Sequence, residues 1–235
     1  IRSGDYATAL REWTPLAEQG NAVAQYNVGI VYQTALGVTQ DYKAAVEWYT
    51  LAAKQGFIPA QYNLGKMYDK GQGVSKDYKA AVKWYTLAAN QGFARAQFNL
   101  GAMYRKGQGV PRNYRTAVKY YKLAAEQGNV DAQYTMGLMY QAGQGVLRKP
   151  KAAFKWYRLA AEQGDAASQF NLSVMYAKGQ GVNQSDTHAY MWGQIAASNG
   201  QVDGAKLAAV AKKRMTPSQL ETAQKLAREC VRKKY

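Results

Sequence analysis

Six glycines, Gly20, Gly56, Gly92, Gly128, Gly164 and Gly200, stand 36 residues apart along the chain without slippage. A fixed period of this length defines a stacked repeat array, because one such unit cannot bury its apolar face alone. Laid out in rows of that length, the chain holds some columns and varies others. Ala24, Ala60, Ala96 and Ala132 are held, followed by Gln25, Gln61, Gln97, Gln133 and Gln169. Then come an aromatic column, a glycine column (Gly29, Gly65, Gly101, Gly137, with Ser173 last) and a tyrosine column from Tyr32 to Tyr176. A loop signature, Gly71-Gln72-Gly73-Val74, returns in the later rows and has decayed to Ala35-Leu36-Gly37-Val38 in the first.

Each row holds two helices. Residues 58 to 70 place apolar groups at 60, 64, 67 and 68, a helical spacing and not a strand alternation. Gly71 and Gly73 end that helix, as glycine does where the chain must take positive φ. Asp77 is the expected N-cap of the second helix, with Asp41, Asn113 and Ser185 in the same column. In the fourth row Lys149-Pro150 stands there, and proline suits a first helical position. The second helix is expected from Tyr78 to Asn90, with Ala81, Val82, Trp84, Tyr85 and Ala88 inward, and Gln91-Gly92 closes it.

The run Ala60-Gln61-Tyr62-Asn63-Leu64-Gly65, Tyr68, Gly71-x-Gly73-Val74, Lys79-Ala80, Trp84-Tyr85, Ala88-Ala89 and Gly92 resembles the Sel-one-like repeat family, a relative of the tetratricopeptide repeats. The resemblance covers about residues 21 to 200 in five rows. It implies an all-α fold, a right-handed α-α superhelical solenoid, used for protein–protein interaction. Two features depart from the pattern. Residues 1 to 20 carry only a second-helix remnant, from Asp5-Tyr6 to Gly20, and the fifth row has Ser173 in place of the glycine. The domain organisation expected is one continuous solenoid: the remnant (1–20), five repeats (21–200) and basic capping helices (201–235).

Composition narrows the function classes. No apolar run approaches the ~20 residues needed to cross a bilayer. The chain starts at Ile1, inside a repeat, which fits a removed signal peptide and a periplasmic or secreted protein, with a monomer favoured. Cys230 is the only cysteine and His188 the only histidine, so neither an internal disulfide nor a metal cluster is expected, and no cofactor. Cys230 is read as a small buried residue of the last helix and His188 as a surface or cap residue. The net charge is +16. Residues 201–235 hold nine cations against three carboxylates. Because no aromatics interleave with them, that segment is read as a solvated cap that closes the stack. Thr216-Pro217-Ser218-Gln219 reads as its helix start, with Gln219 reaching back.

On a wheel of ~100° per residue, positions 60, 61, 64, 65, 67 and 68 share one arc, which faces the stack, while 59, 62, 63, 66, 69 and 70 fall opposite. In the family resembled, first helices line the concave surface, which makes the second arc the candidate groove. Its columns bring an asparagine ladder, Asn27, Asn63, Asn99 and Asn171, broken by Thr135. Aromatics Tyr26, Tyr62, Phe98, Tyr134 and Phe170 flank it. Lys66, Lys70, Arg95, Arg105, Lys106 and Lys178 add positive charge, against Asp69 and Asp131. An asparagine amide both donates and accepts, as an extended peptide backbone requires. Layers ~10 Å apart and a ligand rise of ~3.3 Å per residue would offer one amide to every third residue. The competing role is structural, with each asparagine bonding the neighbouring helix's backbone.

The function expected is a non-enzymatic adaptor that binds a protein or peptide, with a preference for acidic partners. The alternative is RNA binding by a basic helical-repeat array, but base-reading side chains vary between repeats and this asparagine column barely does. Gly71-x-Gly73 follows a helix, not a strand, and recurs in every unit, so it is a turn and not a phosphate loop. One histidine and one cysteine 42 residues apart assemble no catalytic group.

Overall fold

The structure, a computed structural model, describes residues 6–232. Asp5, at the head of the expected remnant, and the basic Lys233 and Lys234 lie outside the described residues. Thirteen α-helices and no strands occur among the described residues. The chain divides into two compact units, with the boundary in sequence between Asn113 and Tyr114.

The first unit holds α1 (Tyr6–Glu18), α2 (Ala22–Thr34), α3 (Tyr42–Lys54), α4 (Ile58–Lys70), α5 (Tyr78–Asn90) and α6 (Ala94–Lys106). The second holds α7 (Tyr114–Glu126), α8 (Val130–Ala142), α9 (Pro150–Glu162), α10 (Ala166–Lys178), α11 (Asp186–Ser198), α12 (Val202–Lys212) and α13 (Pro217–Arg232). Within each unit, consecutive helices pack as hairpins, α2 on α3 and α4 on α5, then α8 on α9 and α10 on α11. The caps expected at Asp41, Asp77 and Ser185 are in place. Asp41 and Asp77 each accept two backbone N–H bonds at the starts of α3 and α5. Ser185 accepts from His188 N at the start of α11. Lys149 makes no side-chain cap, and Pro150 opens α9.

The repeat is held by contacts that only its fixed columns can make. A Cβ added to Gly65 would lie 2.7 Å from the Tyr85 ring, and one on Gly29 or Gly137 would strike Tyr49 or Tyr157 equally closely. The first helix therefore rests its glycine on a fully buried tyrosine of the second. Gly73 works at the next level. It sits at φ +71, and a Cβ there would be 2.1 Å from the Tyr42 carbonyl, so its loop lies against the second helix of the preceding repeat.

The glutamine column forms a stitch between repeats. Gln61, buried, donates to the Ala53 carbonyl of the preceding repeat and accepts from Gln91 Nε2 at 2.8 Å. Gln25 does the same with Ala17 and Gln55, and Gln169 with Ala161 and Asn199. A buried amide must satisfy both its donor and its acceptor, which accounts for an invariant glutamine in an otherwise apolar seam.

The fifth repeat replaces glycine and tyrosine together. Where the other rows have tyrosine, the second helix has Gly193, and Ser173 donates its hydroxyl to the Ala189 carbonyl at 2.6 Å. Without the ring, α12 closes on α11: a Cβ on Gly204 would lie 2.6 Å from the Gly193 carbonyl. The basic segment then docks through α12 and α13, with the Thr216–Gln219 capping box formed in both directions. Gly65→Ala should cost about 1–3 kcal/mol of stability from overpacking against Tyr85. Denaturant unfolding measures it, and an unchanged midpoint would show that the ring can move aside.

Candidate functional site

In the first unit the columns of the outward arc at 62, 63 and 66 are half-buried, while Lys70 and Arg95 at its margins are exposed, and its aromatic column is packed rather than free. The Tyr26 ring sits 5.8 Å from Tyr49 and 5.2 Å from Phe57, and Tyr62 stands 6.0 Å from Tyr85 and 5.2 Å from Phe93. Phe57 and Phe93 occupy the N-cap positions of α4 and α6 and make no side-chain cap bond. Elsewhere in that column Asn21, Asn129 and Asp165 do cap their helices. Two repeats have exchanged a cap for a ring contact.

The asparagines reach back one repeat. The Asn63 amide faces the hydroxyls of Tyr26 and Tyr49, and Asn99 those of Tyr62 and Tyr85. Burial pushes all four hydroxyls above the ordinary tyrosine value, and the amides offset part of that rise. Lys66 Nζ lies over the Tyr62 ring, 5.7 Å from its centre. Burial holds Lys66 below its usual range, and Lys70 and Arg95 push the same way.

Tyr26, Tyr62, Asn63, Lys66, Lys70, Arg95 and Asn99 therefore form one neighbourhood. Asn27 and Phe98 are half-buried on the same unit, whereas Arg105 and Lys106 stand exposed in the last turn of α6, where cations favour the helix dipole. In the second unit Tyr134 packs on Tyr157, their rings 6.1 Å apart, and Asn171 is half-buried. Phe170 and Lys178 line an apolar cleft of about 360 Å³ with Val174, Ala177, Leu207 and Val210.

Two features escaped sequence reasoning. Leucines recur on the second helices at 51, 87, 123 and 159, each 39–44 % exposed, a column visible in the 36-residue rows. The second is a cavity of about 470 Å³ in the second unit, between α9, α10, α11 and α13. His188 and Cys230 both line it, with Arg158, Glu162, Tyr176 and Trp192. His188 stacks on Tyr176, ring centres 4.8 Å apart, and its Nδ1 lies 2.9 Å from Ser185 Oγ. Cys230 packs half-buried against the core. Among the described residues no group of three or more metal-ligating side chains converges, and no helix is long and apolar enough to cross a membrane.

Hairpins with a fixed seam and a varied outer arc define a protein of the α-α repeat class. The Sel1 repeat model matches residues 22–57, 58–93, 94–129, 130–165 and 166–201, so the chain belongs to the Sel1 repeat family. Among solved structures it is similar to c5321, described as a protective antigen present in uropathogenic Escherichia coli strains displaying an SLR fold (34 % identity, TM-score 0.86). That match covers 97 % of this chain and 49 % of the other, so the chain spans about half the length of that relative. A Sel1 repeat protein from Oxalobacter formigenes is 39 % identical with a TM-score of 0.73, over 81 % of this chain and 76 % of that one. The solenoid class expected from the periodicity is thereby shown. No curated protein gives a significant match.

The cavity histidine offers a pH test. Burial lowers its pKa from 6.5, so the folded state disfavours the proton that the unfolded chain accepts. This contribution is fully present above pH ~6.5 and is lost as the pH falls through that value towards the folded pKa. His188→Gln should remove that part of the fall in melting temperature between neutral and mildly acidic pH. An unaltered pH profile in the variant would contradict it.

Proposed function

We propose that this chain is a non-enzymatic scaffold, as Sel1 repeat proteins in general are, and that it holds an extended peptide or protein segment along the outward arc of its first helices. The observation that carries this is the division of labour within the repeat. The inward columns are consumed by the glycine–tyrosine contact and the glutamine stitch, while the outward arc keeps half-buried asparagines and exposed cations. An acidic partner suits the arc, where Lys66, Lys70 and Arg95 face only Asp69 in the first unit. Such charges mainly hasten encounter and set preference.

The asparagine ladder keeps capacity for a ligand. Each amide carries two donors and an acceptor, and the tyrosine hydroxyls engage only part of these. RNA binding is the competing reading. It requires affinity that falls steeply with salt together with a base preference, and the near-constant asparagine column does not favour it.

A displayed library of random dodecapeptides, selected on the purified protein, tests the reading. Enriched peptides should be acidic, and the double change Asn63→Ala and Asn99→Ala should abolish their binding while the helical circular dichroism stays intact. Binding that survives both changes would make the ladder purely structural. Tight, salt-sensitive and base-selective RNA binding would favour the alternative.

A further inference from the structure

Four columns at the turn and the start of the second helix change charge from row to row. They hold Gln40, Asp41, Lys43 and Glu47 in the first row, and Lys76, Asp77, Lys79 and Lys83 in the second. The third row has Arg112, Asn113, Arg115 and Lys119, and the fifth has Gln184, Ser185, Thr187 and Met191. Only the fourth row fills all four columns with cations, Arg148, Lys149, Lys151 and Lys155. These four are exposed and line a cleft of about 510 Å³ with Pro150 and Ala152 and no carboxylate. None of them forms an ion pair among the described residues, whereas Lys122 and Arg158, further along α7 and α9, pair with Glu126 and Glu162.

The fourth row forgoes stability for this charge. In the column of Lys149 the first two rows place Asp41 and Asp77, which each accept two backbone N–H bonds, but Lys149 makes no side-chain cap. A cap exchanged for one more cation among cations breaks a local rule with no packing return, as functional surfaces do. The same turn carries Leu147, 77 % exposed, where the other rows have Thr39, Ser75, Pro111 and Asn183. Gly145, at φ +71, rests against the Tyr114 carbonyl, which lays the turn over the start of α7, where Arg115 is exposed. Arg148 is steadied by the bond that its Nε donates to the Gln141 carbonyl at 3.2 Å. One repeat thus combines an apolar tip with a cleft of unpaired cations.

We propose that this turn docks on an anionic membrane surface, with the four cations against lipid phosphates and Leu147 in the acyl boundary. Cations close to an anionic leaflet are attracted to it, and each apolar side chain that leaves water adds to the binding. A nucleic acid also offers phosphates, but it has no apolar layer for an exposed leucine to enter. Nor does any aromatic side chain line the cleft to stack on a base. The site belongs to the turn and second helix of the fourth repeat, not to the first-helix arc. It is therefore independent of the peptide reading and stations such a scaffold on a bilayer.

Flotation of the whole chain tests this, with vesicles of phosphatidylcholine alone or with about one-third phosphatidylglycerol. The protein should float with the anionic vesicles, stay behind with the neutral ones, and be released as salt rises. Lys149→Asp changes the charge by two units and should weaken binding about 30-fold, while the restored cap raises the melting temperature. Because the chain carries a net +16, Lys54→Asp, the same charge change in the first unit, is the control and should cost at most about threefold. Leu147→Asn should weaken binding about tenfold with no change of charge. The added emission of Leu147→Trp should be quenched by vesicles brominated in their acyl chains. Equal losses from Lys149→Asp and Lys54→Asp would reduce the binding to net charge and overturn the site. Leu147→Asn that binds as the parent does, or equal flotation with both vesicles, would overturn it too. Binding of an RNA oligonucleotide in preference to the anionic vesicles, lost in Lys149→Asp, would overturn the membrane in favour of a nucleic acid.

Discussion

The fold depends on one close approach, seen in the first, second and fourth repeats, of a first-helix glycine laid on the ring of a buried tyrosine from the second helix. No other residue permits it, since a single added carbon would meet the Tyr85 ring at 2.7 Å. The approach sets the distance within the hairpin, and that distance lets Gln61 reach both Ala53 and Gln91. The loop glycine at 73 then brings the turn against the Tyr42 carbonyl of the preceding repeat. The fifth repeat shows the rule by its exchange. Tyrosine gives way to Gly193, glycine to Ser173, and the vacated space admits α12 instead of another ring.

A seam built this way leaves the outward arc with polar groups that the packing does not exhaust. Tyr26 and Tyr62 are wedged between a tyrosine and a phenylalanine, which fixes the face sterically. Asn63 and Asn99 lie towards tyrosine hydroxyls of the preceding repeat. A rigid face costs a ligand little reorganisation, which is the main way a repeat scaffold gains affinity. Lys66 shows the balance, because burial works against its charge and the ring beneath it works in favour.

Much of the fold was legible in the sequence. The spans expected at 58 to 70 and 78 to 90 coincide with α4 and α5, and the caps at Asp41, Asp77 and Ser185 form as read. The Thr216–Gln219 box does too. These succeed because cap and turn chemistry is local, and because five copies average out the accidents of any one. The site was less legible. The wheel separated the buried arc from the outward one, but it could not show that Asn63 faces tyrosines one repeat back, since these lie about 14 to 37 residues away in sequence. Phe57 and Phe93 carried a signal that passed unread, an aromatic where other rows place a capping Asn or Asp. His188 and Cys230 were taken as unrelated. They meet in one cavity because α13, which lies outside the repeat and obeys no period, returns onto α11.

The central claim is that the first-helix arc, and not the leucine column of the second helices, receives the partner. Photo-cross-linking decides it, with a benzophenone amino acid placed singly at Lys70 or Arg95 on the arc and at Lys83 or Leu87 on α5, in extracts of the source cell. The account predicts that one and the same partner is captured from Lys70 and Arg95, and not from Lys83 or Leu87. Capture from Lys83 and Leu87 alone would contradict it.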